Sequence, residues 1–322
     1  MTPIAAVQAH ELRKSYPTPG GEPIEILHGV TCAIEAGGMT ALVGPSGSGK
    51  STALLCLAGL EPASSGRVIL MGRDLGALSA ARVAELYRDR VGFVFQAYNL
   101  VPYLTVRENV TICDTLAGRR PDRARAQQVL AGLGLQERAD AVTATLSGGE
   151  QQRVALGRVL YRRPSVVFAD EPTGALDTRS ASFVLAELRR LADEGAAVVL
   201  VTHDLGVVSQ MCDRVAVMYA GHVMELCDTV TLFFHPRHPY THGLFRSLPH
   251  GKGTRTRLKP IAGAPPSLEN LPAGCPFEPR CDWAEECCRA GLPPLTEVAE
   301  GHFARCYFYA KLPDEVRFST RM

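Results

Sequence analysis

The chain has 322 residues, of which 46% are hydrophobic and 21% are charged, and its formal charge is +1. This length predicts about two domains with enough apolar material for a buried core, and the near-neutral charge argues against electrostatically driven binding to nucleic acid. No apolar run approaches the length of a membrane-spanning helix, and the N-terminal residues lack the apolar core of a signal peptide. We therefore expect a chain that does not cross a membrane by itself and that works in a reducing cytosol.

The order of apolar and polar residues predicts strands that alternate with helices. Residues 4–36 alternate in a way that is typical of strands joined by a turn. Ala220 and Gly221 separate two further strands and indicate a hairpin. The remaining predicted strands are 40–43, 67–71, 91–95, 166–169, 197–202, 215–219 and 222–226, and the predicted helices are 51–60, 105–135 with a break at 119–121, 147–161 and 179–193. This alternation predicts an α/β fold with a mostly parallel sheet.

The composition changes after Phe234. Six prolines lie between Pro236 and Pro266, which predicts a linker or an extended strap rather than part of a core. Five of the ten cysteines then lie between Cys275 and Cys306. We therefore predict one domain over 1–235 and a small cysteine-rich extension over 236–322.

A glycine-rich stretch between a predicted strand and a predicted helix fits the pattern of a phosphate-binding loop. Its glycines let backbone N–H groups turn towards a phosphate, and the following helix presents the positive end of its dipole. Lys50 is placed to reach the β- and γ-phosphates, and Ser51 to put its hydroxyl on Mg²⁺. The predicted nucleotide-binding residues here are Gly44, Pro45, Ser46, Gly47, Ser48, Gly49, Lys50, Ser51 and Thr52.

A second acidic element follows the predicted strand 166–169. This strand delivers Asp170 to its carboxyl end, where parallel sheets bind ligands. Asp170 is a candidate ligand of Mg²⁺, directly or through water. Glu171 is a candidate to polarise the attacking water.

A second helix start is also suited to an anion. Ser147 and Glu150 have the spacing of a capping box, and Gly148 and Gly149 leave the helix N-terminus open to close approach. The loop at Gly44 already supplies every group needed to bind one phosphate. The second anion-binding helix N-terminus, at Ser147, therefore needs another explanation.

With these motifs in this order, residues 4 to about 235 resemble the nucleotide-binding subunit of an ABC transporter. The resemblance implies a P-loop NTPase core with an antiparallel β subdomain and a helical subdomain over about 97–160. It also implies an ATPase that sandwiches ATP in a head-to-tail dimer with a second ABC ATPase, identical or different. In such a dimer Ser147, Gly148, Gly149 and Glu150 contact the γ-phosphate held by the other subunit.

The same resemblance suggests roles for single residues. Tyr16 matches the aromatic residue that stacks on adenine, although a core tyrosine is the alternative. Gln96 matches a glutamine that senses Mg²⁺ and the γ-phosphate and contacts the membrane subunit. Asp177 matches the loop that crosses between subunits, and His203 matches a histidine that contacts the γ-phosphate. The implied partners are transmembrane permease subunits, which place the chain at the cytoplasmic face of the membrane, with no nucleic acid.

The cysteines near the C-terminus have a spacing that suits a metal. Taking Cys275, Cys281, Cys288 and Cys306, the spacing is C-x5-C-x6-C-x17-C, which matches neither a zinc knuckle nor a bacterial ferredoxin. Four thiolates suit zinc or an iron–sulfur cluster. A set of small buried thiols is the alternative.

A second resemblance covers the extension. The stretches 235–241, 263–268 and 274–281 are similar to the C-terminal extension of oligopeptide and dipeptide importer ATPases. That family implies a [4Fe–4S] cluster on Cys275, Cys281, Cys288 and Cys306, with zinc as the alternative, and Cys287 leaves the third ligand open. It also implies an extracytoplasmic substrate-binding protein as a partner.

The body of the chain resembles a different branch. The stretch 96–109, which follows the loop glutamine, is more similar to lipoprotein-release and macrolide-export ATPases. We favour a peptide importer, because an elaborate extension is harder to explain as an accident than variation in a loop. An export or lipoprotein-release ATPase is the alternative, and a soluble ATPase that acts on nucleic acid is disfavoured by the charge.

Overall fold

The computed structural model describes residues 5–174, 176–247 and 261–313. The chain divides into two compact units. The first is mainly residues 69–202 with 33–40, and the second comprises 9–32, 41–68 and the chain from His203 onward. Residues 248–260 and 314–322 of the predicted extension lie outside the described residues.

The strands alternate with helices along the described chain. The strands are β1 (Ala5–Tyr16), β2 (Ile24–Glu35), β3 (Gly38–Val43), β4 (Ser65–Leu70), β5 (Arg73–Asp74), β6 (Val91–Phe95), β7 (Val166–Asp170), β8 (Ala197–Val201), β9 (Arg214–Tyr219), β10 (His222–Asp228), β11 (Thr296–Ala299) and β12 (His302–Ala304). The helices are α1 (Lys50–Ala58), α2 (Ala80–Arg90), α3 (Val106–Leu116), α4 (Arg123–Gly132), α5 (Gly148–Arg162), α6 (Thr178–Asp193), α7 (Leu205–Met211), α8 (Thr229–Phe234), α9 (Pro239–Arg246) and α10 (Glu286–Ala290). Among these described helices, none has the length and apolarity needed to span a bilayer.

The first unit contains the predicted parallel strands. β7 pairs in parallel with β6 and with β8, so that Val94, Ala169 and Leu200 lie side by side. All three residues are fully buried. Strands that are apolar at successive positions need cover on both faces, and α5 packs on β6 while α6 packs on β8. The predicted parallel arrangement is confirmed here.

The helical part of the first unit follows the predicted pattern. α3 ends at Leu116 and α4 begins at Arg123, on either side of the break predicted at 119–121. α5 packs against both helices. Thr105 caps α3 in a capping box with Glu108, which explains where this helix begins.

The second unit contains an antiparallel sheet region in the order β11-β12-β10-β9. β9 and β10 form the predicted hairpin, and Ala220 and Gly221 at its turn have φ angles of 46° and 76°. This left-handed pair is what a tight two-residue turn requires. β12 pairs with β10, so strands of the extension continue the sheet that the hairpin begins.

A separate four-stranded sheet has the order β2-β1-β4-β5. β4 and β5 are antiparallel, and Met71 and Gly72 between them have positive φ angles. This sheet accounts for the alternation predicted over residues 4–36.

The predicted linker over 236–266 is wrong at its N-terminal end, where the chain forms α9. Pro239 lies in the first turn of this helix, a position at which the missing N–H removes no intrahelical hydrogen bond. Phe245 is fully buried and stacks on Phe233 with ring centroids 4.7 Å apart. The proline count was misleading because a proline at a helix start supports the helix.

Candidate functional site

The loop between β3 and α1 has the backbone shape of a phosphate cradle. Gly44, Gly47 and Gly49 have φ angles of 152°, 77° and 91°. A Cβ atom at Gly44 would lie 2.2 Å from the carbonyl oxygen of Met218, so a larger residue does not fit. Gly49 is the N-cap residue of α1 and has a left-handed backbone conformation. The sequence therefore forms the predicted loop at the predicted place.

Polar groups inside this loop suit an anion. Lys50 is buried, and its Nζ donates to the carbonyl oxygens of Gly44 at 3.0 Å and Pro45 at 2.8 Å. The buried Oγ of Ser48 has no hydrogen-bond partner among the described residues. An ammonium group and an unpartnered hydroxyl in one glycine-rich loop are the donors that a phosphate requires.

The loop opens on a cavity of about 500 Å³. Pro45–Ser48 line one side of it, and residues 265–269 of the extension line another. The sequence predicted the loop but not this neighbour, because nothing local links positions more than two hundred residues apart. The cavity gives the candidate site room for a ligand.

Tyr16 lies at the end of β1, beside the start of α1. Its hydroxyl lies near the Thr52 side chain, and partial burial raises the pKa of this phenol. Lys14 Nζ lies 4.7 Å from the ring centroid and forms an ion pair with Glu61. The ring is therefore held near the predicted loop in the same unit.

Gln96, Asp170 and Glu171 follow neighbouring strands of the first unit. Phe95 on β6 and Asp170 on β7 are register partners, so Gln96 and Glu171 come next at the same edge of the sheet. Glu171 has a φ angle of 47°, and its N–H donates to the carbonyl oxygen of Val201 at 3.0 Å. A non-glycine residue in this conformation is held by its surroundings.

The predicted capping box at α5 is present. Ser147 Oγ accepts a hydrogen bond from the Glu150 N–H at 3.4 Å, and a Glu150 carboxylate oxygen accepts from the Ser147 N–H at 2.9 Å. The Ser147 hydroxyl also donates to this carboxylate at 2.7 Å, and this bond, followed by the one from the Ser147 N–H, lowers the pKa of Glu150. Ser147 and Gly148 are exposed, so the start of this helix is open to a partner.

Asp177 and His203 occupy exposed positions in the two units. Asp177 caps α6 by accepting from the N–H groups of Arg179 and Ser180 at 3.0 and 3.1 Å, and the Ser180 side chain lowers the pKa of this carboxyl. His203 belongs to the second unit, between β8 and Asp204, which caps α7.

A buried polar network fixes the segment after Gln96, and sequence reasoning missed it. Asn109 is fully buried, and its amide bonds both the N–H and the carbonyl of Val101, at 2.9 and 3.0 Å. Arg158 donates to Asn109 Oδ1 at 2.6 Å and to the carbonyl oxygen of Asn99 at 2.6 Å. Tyr103 in this segment is 88% exposed. The sequence signal for this network was Asn109 itself, a polar residue among the apolar positions of α3.

Four of the cysteines converge in the extension. Cys275, Cys281, Cys288 and Cys306 line one small cavity together with aromatic side chains. Cys288 is buried, whereas the adjacent Cys287 is exposed. Backbone N–H groups of Trp283 and Phe308 donate to the sulfur atoms of Cys281 and Cys306 at 3.4 and 3.3 Å.

Burial also affects the acidity of these thiols. It raises the pKa of Cys275 and of Cys281 to about 11, and that of Cys306 to about 12. Arg305 lines the same cavity and opposes this rise at Cys275, but burial is the larger effect, so these three thiols stay protonated at neutral pH. A metal ion or cluster bound in this cavity would deprotonate them.

Two family models match this chain. Residues 27–174 match the model described as ABC transporter, and residues 224–288 match the model described as oligopeptide/dipeptide transporter, C-terminal region. The two matches fall on the two parts of the chain whose motifs carry the predicted resemblances.

Curated relatives include both predicted branches. The oligopeptide transport ATP-binding protein AppD of Bacillus subtilis is 37% identical over 303 residues, which cover 89% of this chain and 92% of that protein. The oligopeptide transport ATP-binding protein OppD of Mycobacterium bovis is 39% identical over 300 residues, which cover 89% of this chain and 49% of that protein. The macrolide export ATP-binding/permease protein MacB of Shigella flexneri is 44% identical over 227 residues, which cover 70% of this chain and 34% of that protein. The chain thus spans about half the length of OppD and a third of MacB.

A solved structure shows the same fold. It is a dimeric ATP-binding cassette in a post-hydrolysis state, bound to ADP and Pi, with a TM-score of 0.65 and 34% identity over 69% of this chain and 98% of that one. The predicted P-loop NTPase cassette fold is confirmed. This chain therefore belongs to the ABC transporter family and carries the C-terminal region of oligopeptide and dipeptide transporters.

Proposed function

We propose that this chain is the ATP-hydrolysing subunit of an ABC transporter that imports peptides. One observation carries the proposal: the similarity to AppD continues through the cassette into the extension and covers 92% of that protein. The similarity to MacB covers 227 residues and 70% of this chain. Peptide import accounts for both parts of the chain, whereas export accounts for the cassette alone.

The phosphates bind in the loop from Gly44 to Ser51. Lys50 exchanges its two carbonyl partners for phosphate oxygens, and the unpartnered Ser48 hydroxyl gains an acceptor. Backbone N–H groups at the start of α1 point to the same anion, because the loop ends at the N-terminus of that helix. Tyr16 stacks on the adenine from the end of β1.

Ser51, Gln96 and Asp170 are the candidate ligands of Mg²⁺, Ser51 in the second unit and the other two in the first. A hydroxyl, an amide and a carboxylate are oxygen ligands of the kind that this ion prefers. Bound Mg²⁺ neutralises negative charge on the phosphates. Asp170 and Gln96 follow paired strands, so the sheet edge itself positions their side chains.

Glu171 orients the attacking water and accepts its proton. The left-handed backbone at Glu171 and the hydrogen bond from its N–H to Val201 fix where its side chain begins. His203 contacts the γ-phosphate from the exposed position after β8. Positioning and charge neutralisation carry most of the catalysis in such phosphoryl transfers.

A second cassette completes the site. The start of α5 with Ser147, Gly148, Gly149 and Glu150 meets the nucleotide of the partner, and Asp177 lies in the loop between the subunits. The exposure of Ser147 and Gly148 supports this role, because a helix N-terminus on the surface is available to an external phosphate.

Glu171→Gln tests the assignment of the base. We expect ATP binding to remain and steady-state hydrolysis to fall by at least about 100-fold, because an amide cannot accept the proton. Equilibrium dialysis and a phosphate-release assay measure the two properties. Glu137→Gln on the surface is the matched control and keeps wild-type turnover. Turnover of Glu171→Gln within a few-fold of wild type contradicts the assignment.

The four cysteines that line the small cavity in the extension would hold a [4Fe–4S] cluster. The two backbone N–H groups that already donate to cysteine sulfur atoms support this, since such bonds are typical around cluster thiolates. The aromatic side chains that line the cavity would shield a cluster from solvent.

Two neighbouring cysteines provide a matched pair of variants. Cys288→Ser removes a thiol that lines the cavity, so we expect iron and acid-labile sulfide to be lost after anaerobic purification. Cys287→Ser changes an exposed thiol and leaves the cluster in place. Zinc in place of iron in the wild-type protein contradicts the cluster and retains a metal site.

A peptide importer needs other proteins beside its ATPase subunit. The chain binds transmembrane permease subunits at the cytoplasmic face of the membrane, and an extracytoplasmic protein delivers the substrate. The exposed segment around Tyr103, anchored by Asn109, is suited to face a permease. Co-purification identifies these proteins; a permease with a large extracytoplasmic domain and no binding protein indicates the export alternative, which the 44% identity to MacB favours.

A further inference from the structure

β10 and β12 bring three potential metal ligands together, apart from the cysteine cavity. Glu225 and Cys227 lie two residues apart on β10, and His302 begins β12. Their ligand atoms all lie within 4.8 Å of one another. Glu225 and Cys227 are 0% exposed and His302 is 2% exposed, so the group is inside the second unit.

The carboxylate of Glu225 has one oxygen without a partner. Its Oε1 accepts hydrogen bonds from the Arg237 N–H and from His302 Nε2, the latter at 2.8 Å. Its Oε2 is buried and has no hydrogen-bond partner among the described residues. Buried carboxylate oxygens are normally satisfied, because burying a charged group without partners is costly. An unpaired carboxylate oxygen within a group of other potential ligands suits a cation.

We propose that Glu225, Cys227 and His302 bind a divalent metal ion of the zinc type. The oxygen, sulfur and nitrogen donors are those that zinc accepts, at about 2.0 to 2.3 Å, which places ligand atoms of one ion roughly 3–4 Å apart. On binding, the Cys227 thiol loses its proton to solvent as the sulfur–metal bond forms, and the neutral His302 ring coordinates through the nitrogen that carries no proton. One carboxylate and one thiolate then balance the two positive charges, so the buried site is neutral.

The position of this site gives it a structural role. β12 belongs to the extension and pairs with β10 of the hairpin, with Glu225 opposite Ala304 and Leu226 opposite Phe303. An ion held by ligands from both strands links the extension to the hairpin more firmly than this short pairing does alone. Binding in a closed interior also means that the ion enters during folding.

The test counts zinc in the complete chain. Wild type, Cys227→Ala and Cys32→Ala are purified in parallel, loaded with Zn²⁺, freed of excess ion, and measured by elemental analysis. Cys32 is a buried thiol on β2 and serves as the matched control. All three proteins keep the four cysteines of the cavity, so only the difference between them reports the new site. We expect wild type and Cys32→Ala to hold one more zinc ion per chain than Cys227→Ala.

A second variant keeps the test decisive if Cys227→Ala does not fold. Glu225→Gln preserves the shape of the side chain and its bond to the Arg237 N–H but removes the charge. We expect it to bind Zn²⁺ at least about tenfold more weakly in competition with a chelating dye, since even outer-shell changes weaken metal sites by this much. Equal zinc content in wild type and Cys227→Ala, or equal affinity in wild type and Glu225→Gln, overturns the proposal and leaves a buried Glu–His hydrogen bond.

Discussion

His222 and His238 are buried in the uncharged form. Burial lowers the pKa of each ring to about 3. His238 Nδ1 accepts a hydrogen bond from the Tyr240 N–H at 3.0 Å, which requires that this nitrogen carries no proton. His222 stacks on His28 with ring centroids 4.9 Å apart. Protonation of either ring therefore opposes the folded state.

Acid should destabilise the protein through these histidines. Below the unfolded pKa of about 6.5 the unfolded chain binds a proton at each site while the folded chain does not, until the pH approaches about 3. The stability that comes from keeping these two rings neutral is therefore fully present above about pH 6.5 and is lost as the pH falls towards 3. Each histidine contributes up to about 1.4 kcal/mol per pH unit to the free energy of unfolding.

Urea unfolding between pH 7 and pH 5 measures this dependence. His238→Gln should reduce the slope of unfolding free energy against pH, because a ring that burial holds neutral is gone. His10→Gln, at an exposed position, should keep the wild-type slope. Equal slopes for all three proteins would show that His238 is not held neutral.

Residues that are close in sequence could be predicted, and residues that meet across the fold could not. The loop from Gly44 to Ser51 is one contiguous stretch, so its pattern alone indicates a phosphate site. Glu225 and His302 are 77 positions apart, and Asn109 and Thr143 are 34 apart. Such pairs depend on strand pairing and helix packing, which composition and periodicity do not specify.

At the scale of elements, the residues that cap α5 are the ones that we propose to contact a partner's nucleotide. The Ser147 hydroxyl fixes the first turn, yet the residue remains exposed. α2 has a comparable cap, in which Ser79 Oγ accepts from the Arg82 N–H at 3.4 Å. Replacing each serine therefore distinguishes the stability lost with a cap from the activity lost with the proposed contact to a partner's nucleotide.

Ser147→Ala and Ser79→Ala should lower the free energy of unfolding by a similar amount, about 1 kcal/mol each. Only Ser147→Ala should also lower ATP hydrolysis, by at least about tenfold at saturating ATP, while binding at the loop around Lys50 remains. Denaturant unfolding and phosphate release measure both effects. If the two variants hydrolyse ATP equally well, the α5 start does not act on a partner's nucleotide.

Elements with a strong apolar period were predicted, and short or polar ones were not. β6 over Val91–Phe95 and the break between α3 and α4 match the predictions. α2 was missed because Leu86 is its only buried residue among those described, so no apolar stripe marks it. α7, α8 and α9 are each eight residues or shorter, and packing rather than pattern stabilises them.

At the scale of the whole molecule, the motifs predicted the family but not how the extension is used. The cassette motifs and the cysteine spacing lie in separate parts of the sequence. In the second unit, residues 265–269 line the cavity beside the phosphate loop, and β12 pairs with β10. These contacts form only when the chain folds. They hold the extension beside the phosphate-binding loop.

The composition of the assembly formed by Glu171→Gln with ATP and Mg²⁺ tests the central claim most directly. The account predicts a stable pair of cassettes, either two copies or this chain with a second cassette, that holds two nucleotides. Lys50→Ala added to Glu171→Gln should abolish the pair, because the loop no longer grips phosphate. Multi-angle light scattering with nucleotide quantification measures both numbers. A Glu171→Gln chain that binds ATP and remains a single cassette, alone and with its co-purified transporter subunits, would contradict the account.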